Sequence, residues 1–276
     1  MNKNLPEGAG SILARPIYNK EGIFKLCLAC ISAALAVFTG VFFGTGFDTE
    51  TLYFENTSAS YVFGGVMAAT AVAIIVLLMA LKAQLAPTKR KAASLLQYLG
   101  AIVLFLFFLQ SIIDKNLWLI IFSLIATAYF IGLSGKHYIA NTLLGIGTVL
   151  FYGATIAQTY LDYSIAVNSP YKLLCHFGMA ISMLLIASEL KFDLGGGRQV
   201  AYSLISGLTF ALNASASAAS IALVLSGAKN INYFLIPCAA MAIYSAKIFF
   251  AQPKADTHDT DINPDEKGTD TDEILD

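Results

Sequence analysis

Between residues 61 and 113, two apolar runs (61–81 and 94–113) flank a loop holding Lys82, Lys89, Arg90 and Lys91 and no acid. Each run is about 20 residues long, the length at which a helix crosses the hydrocarbon of a bilayer. In lipid every backbone polar group must be satisfied, and a helix does this within its own segment. Basic loops stay on the cytoplasmic side of a membrane. This pair of runs therefore orients the rest of the chain.

Six further runs share the pattern: 23–45, 117–134, 139–161, 171–190, 200–226 and 232–250. The chain is 57% hydrophobic and 13% charged. Soluble domains are about 25% charged, so a soluble core does not account for the runs. The expected fold is an all-α, polytopic integral membrane bundle of eight transmembrane helices over residues 23–250. A cytoplasmic segment, 1–22, precedes it, and an acidic, disordered cytoplasmic tail, 251–276, follows. Segment 1–22 has no short apolar stretch before a small-residue cleavage site. No cleaved signal peptide is expected, and the first span itself would direct the chain to the membrane.

Charge placement supports one orientation. With eight spans, 14 of the 17 Lys and Arg fall on the side of the termini, and Lys115, Lys172 and Lys229 fall on the other. Both termini are then cytoplasmic, and the expected location is a bacterial cell membrane. The tail from residue 251 carries nine acids and two bases, a net −7, so the other residues carry +6. A cationic membrane body with an acidic tail is not a nucleic-acid-binding pattern. The expected partners are the lipid bilayer, a small-molecule solute and a cytoplasmic protein that meets the tail.

Several motifs point away from chemistry. Four cysteines are too few for a disulfide scaffold, and Cys27-x-x-Cys30 sits in an apolar helix rather than at a redox-active helix start. Gly195-Gly196-Gly197 lacks the spacing and preceding strand of a phosphate loop. Asp259-Thr260-Asp261-Ile262-Asn263-Pro264-Asp265 has proline where a calcium loop needs glycine. Asn56-Thr57-Ser58 is a glycosylation pattern that matters only in a eukaryotic secretory pathway. No Gly-x-Ser-x-Gly or His-Glu-x-x-His occurs. No catalytic constellation, cofactor or metal is expected.

The polar residues inside the spans carry the functional reading. No acid lies deep in any span, which argues against carboxylate-driven transport. Lys25, Glu189 and Lys247 fall near inner span ends and are expected to reach the interface. His176 is the titratable group within a span. In the seventh span Tyr202, Ser206, Thr209, Asn213, Ser217 and Ser220 recur at three- and four-residue intervals, which aligns them on one helical face. Gly40 and Gly44 make a small-xxx-small face on the first span, open to close approach by another helix. Phe63-Gly64 and Phe177-Gly178 hint at a repeat of two four-helix halves.

Two functions fit these features. One is a small-solute transporter or permease component, with Ser206, Thr209, Asn213, Ser217, Ser220 and His176 as the substrate path. The other is a non-transporting scaffold, sensor or assembly partner acting through cytoplasmic loops and the tail. A wet cavity reaching Asn213 favours the first, and a dry packed core the second. The orientation has a direct check: a reporter fused after Asp276 should read as cytoplasmic, and an alkaline wash should leave the chain in the membrane.

Overall fold

The computed structural model describes residues 20–48, 53–54, 57–87, 91–132, 138–162, 166, 168–228 and 231–253. The segment before Lys20, the tail beyond residue 253 and Asn56 lie outside them. Eight α-helices follow in order: α1 Lys20–Thr45, α2 Thr57–Leu81, α3 Lys91–Ile113, α4 Leu117–Gly132, α5 Tyr138–Leu161, α6 Pro170–Asp193, α7 Gln199–Leu225 and α8 Asn232–Ser245. A 3-10 helix, Ala246–Phe250, extends α8. Seven of the runs, with α8 and its extension taken as one, are long and apolar enough to cross a membrane, and α4 is a shorter apolar helix of 16 residues. The chain is an all-α membrane bundle. We call the end holding Lys20 and Pro253 the terminal face and the opposite end the far face.

Small residues decide which helices meet. α1 lays Gly40 and Gly44 on α7, where methyl groups in their place would stand 3.8 Å from Ala218 and 3.6 Å from Ala222. The small-xxx-small face read from sequence thus has α7 as its partner. One turn below, Thr39 donates to the Ser215 carbonyl at 3.2 Å. Helices α3 to α8 close a ring in which α7 packs on α8, α8 on α3, and α4, α5 and α6 follow in order back to α7. At the α3–α8 crossing, a Cβ on Gly100 would lie 3.1 Å from both the Ala240 carbonyl oxygen and the Phe130 ring. Aromatic side chains fill the ring, with Phe107 edge-on to Phe151 and Phe130 stacked on Tyr244.

α2 stands apart. It packs mainly on α1 and α7, and Tyr61, Val62, Val72, Val76 and Met79 are exposed along it, as lipid-facing side chains are. It makes no substantial contact with α3, so the two runs that frame the sequence do not form a packed hairpin. The weak repeat finds no counterpart either, because α6 and α7 pack closely where α2 and α3 do not.

The reason lies in the connecting loop. Ala83 and Leu85 are fully buried, and the Leu85 amide donates to Ser203 Oγ of α7 at 2.9 Å. Two-residue strands β1, Leu85–Ala86, and β2, Gln252–Pro253, then pair antiparallel. The loop is a strap under α7 that also holds residues 252–253. Lys25 Nζ adds a bond to the Ala251 carbonyl. Residues 251–253, expected to begin a disordered tail, are therefore pinned.

On the far face Phe47 bridges Phe54, and the rings of Phe43, Phe47, Phe54 and Phe63 form one cluster with Tyr171 at its edge. The α3–α8 crossing makes a test. Gly100→Val drives a methyl group into a backbone oxygen that cannot move aside, and should cost about 1–3 kcal/mol. Gly65→Val meets open space on α2 and should cost little. Thermal unfolding of the purified protein in detergent compares them.

Candidate functional site

The aligned polar residues of α7 do share one face, and all six are buried. That face meets α6 along its length. Asn213 Nδ2 donates to the Gly178 carbonyl at 3.0 Å, to Ser182 Oγ at 3.0 Å and to its own helix at the Thr209 carbonyl. Thr209 Oγ1 donates to the Ile181 carbonyl at 3.3 Å, and Ser220 Oγ bonds the Tyr171 hydroxyl at 2.8 Å. Gly178 permits the close approach, since a Cβ there would sit 3.2 Å from Asn213 Oδ1. Ser217 turns back to the Asn213 carbonyl, and among the described residues Ser206 Oγ and Asn213 Oδ1 have no hydrogen-bond partner. The stripe bonds two helices together.

His176 is elsewhere. It points from α6 toward α5, where its Nε2 lies 2.9 Å from Thr159 Oγ1, and its ring faces Phe234 of α8. Two residues from Gly178 on a helix, it sits on nearly the opposite side from the stripe. The structure does not bring His176 and Asn213 to one site. One turn away, Lys172, counted from sequence among far-side loop cations, is fully buried. Its Nζ donates to the Asp162 carbonyl at 2.8 Å and the Tyr160 carbonyl at 3.3 Å, tying α6 to the end of α5.

Glu189 and Lys247 depart most from expectation. They do not reach the interface. Both are buried, and Lys247 Nζ lies 2.7 Å from Glu189 Oε1. The Tyr244 hydroxyl donates to Glu189 Oε2, and Lys247 Nζ also stands 3.7 Å over the Tyr244 ring. Each charge is therefore neutralised and hydrogen-bonded, which is what burial of a charge demands. Two ionisable residues of opposite sign near the same ends of two spans were the available signal; their turning inward depends on how α6 and the 3-10 extension of α8 meet.

Two cavities lie on the side of the bundle that carries α6 and α7. The first, about 820 Å³, opens between α2 and α6 in the far half. Gly64 and Met67 of α2 form one wall, Phe177 and Ile181 of α6 the other, and Leu212 of α7 the floor. Its polar residues, Tyr53, Ser60, Tyr61 and Asn168, gather at the far end, where the Tyr53 hydroxyl donates to Asn168 Oδ1. The second, about 660 Å³, lies at the terminal face between the end of α6 and the start of α7. The two share Leu184. Ser206, Thr209, Asn213, Ser217, Ser220 and His176 line neither. Among the described residues no cluster of His, Cys, Asp or Glu could hold a metal ion.

No family model, curated protein or solved structure matches this chain. Its site is read from its own geometry.

The ion pair has a clear test. Lys247→Met or Glu189→Leu alone strands a buried charge and should destabilise by about 3–5 kcal/mol. The double variant, with no charge left to bury, should recover most of that loss. Thermal unfolding in detergent of the two single variants and the double variant measures it.

Proposed function

We propose that the protein is a membrane carrier component for an amphiphilic, lipid-like solute, and that the solute lies in the groove between α2 and α6. The observation that carries this reading is the groove itself. Its volume is that of a ligand site. Its walls are apolar, its polar groups are confined to the headgroup end, and it opens sideways to where acyl chains lie. A small water-soluble solute would need polar groups at mid-depth, and Met67, Ile181, Leu184 and Leu212 supply none there. The α7 stripe and His176, the path expected from sequence, act in this reading as the bonds that hold α6 against α5 and α7. The terminal face is the cytoplasmic one, by the bias of Lys and Arg toward it.

The loose docking of α2 gives the groove a moving wall. A helix held by few contacts opens at low cost, so an amphiphile could leave sideways without disturbing the ring of α3 to α8. The second reading, a non-transporting membrane component, draws on the close packing around Asn213.

Gly64 separates filling the groove from damaging the fold. It lines the groove, and a Cβ added there meets nothing within 4 Å. In vesicles, a phospholipid with a photoreactive tail should label the α2 and α6 segments of the native protein. Gly64→Leu should reduce that labelling several-fold, while Gly65→Leu, equally open but outside the groove, should leave it unchanged. Transfer of a fluorescent phospholipid between leaflets should follow the same order. Equal labelling of both variants would remove the groove as the site; labelling without leaflet transfer would favour the non-transporting component.

A further inference from the structure

The cavity at the terminal face has a different character from the groove, and no function has yet been given to it. Lys191 of α6 and Arg198, which caps the start of α7, both line it, together with Ser188 and the backbone of Gly196 and Gly197. No acid lines it. Asp193 is two residues from Lys191 on the same helix and so faces away from it, and Glu189 is committed to Lys247. Among the described residues neither Lys191 nor Arg198 makes an ion pair, and both are exposed.

The backbone beside the cavity forms a tight turn into α7. Gly195 takes a φ of +79°, which ends α6, and the Gly196 amide returns to the Lys191 carbonyl at 2.9 Å. The turn delivers the chain to α7, whose first-turn N–H groups have no side-chain cap. Those groups are orphan donors at the positive end of the helix dipole. Gly197 has to be glycine at this turn, because a Cβ there would stand 2.3 Å from the Phe192 ring.

Two cations and a serine line a space beside the start of α7, and among the described residues no acid lines it. On the membrane side the walls turn apolar, through Ala187, Ala201, Ile205 and Leu184. We propose that this cavity binds the phosphate of an anionic phospholipid, with Lys191 and Arg198 on the headgroup and the acyl chain laid along Ala201, Ile205 and Leu184. Free phosphate shares the headgroup's chemistry, but the apolar wall has no role for it. Arg198 suits a phosphate because its planar guanidinium offers two parallel N–H donors, and Lys191 adds a point charge. The site stands whether or not the far-half groove carries a solute.

Native mass spectrometry of the full-length protein, purified in a neutral detergent and titrated with phosphatidylglycerol or phosphatidylcholine, tests the assignment. The native protein should retain phosphatidylglycerol in preference to phosphatidylcholine. Lys191→Gln with Arg198→Gln should lower that retention about tenfold, and Lys20→Gln, which removes an exposed cation outside the cavity on the same face, should not. Gly64→Leu should leave it intact, so an empty groove and an empty headgroup site are distinguishable. Inorganic phosphate at matched concentration should fail to displace the lipid. Equal retention of the two lipids, or unchanged retention in the double variant, would overturn the site; displacement by phosphate alone would overturn the lipid assignment. Both substituted side chains are exposed, and an unchanged melting temperature would show that the fold is intact.

Discussion

Four helices pack on α7, and three of them, α1, α2 and α6, meet it where its sides are thin. Ala218 and Ala222 receive the glycines of α1, and Gly207 admits Leu28 of α1 and Ile74 of α2. On its other side the serines and Asn213 are short enough to let α6 approach over Gly178. Between helices in lipid there is no large hydrophobic drive, since the tails are as apolar as the side chains. Close packing and hydrogen bonds must hold the bundle. The α6–α7 seam uses both, with each Asn213 N–H bond worth on the order of 1 kcal/mol in a membrane.

The same economy of contact explains the groove. α2 meets α7 through Gly207, where Ile74 enters, and it meets α1 beside the far-face phenylalanines. Among its described side chains only Phe63, Ile74 and Leu78 are buried, and most of the others face outward. α6 meanwhile is drawn to α7 by the stripe and to α5 by Thr159 and Lys172. A gap between α2 and α6 follows from where each helix finds its bonds. In a bilayer such a gap fills with something apolar, and that is the physical basis of the carrier reading.

At the terminal face the structure spends polar groups to fix geometry. Glu189 and Lys247 join α6 to the 3-10 extension of α8, and the strap of Leu85 and Ala86 joins residues 252–253 to α7. A buried ion pair adds little net stability over a well-packed apolar pair, but it tolerates few alternative arrangements. The 3-10 extension also packs on α3 and α7, and residues 251–253 are held by the strap and by Lys25. The headgroup cavity sits one turn away on the opposite side of α6, where Lys191 faces out because Glu189 faces in.

Residue order alone determined that this is an all-α membrane bundle, and it placed the helix ends within a few residues. Uncharged runs of about 20 residues suit a helix, which satisfies its backbone within one segment. It also determined that Tyr202 through Ser220 share a face, since a helical period is a local property. Only the tertiary structure decided what that face does. Whether Asn213 lines a cavity or bonds to Gly178 depends on which helix arrives, and no local pattern in α7 names α6. For the same reason Glu189 and Lys247 read as interfacial until α8 and its extension were in place, and the groove, made by two helices that fail to meet, had no signature in either of them.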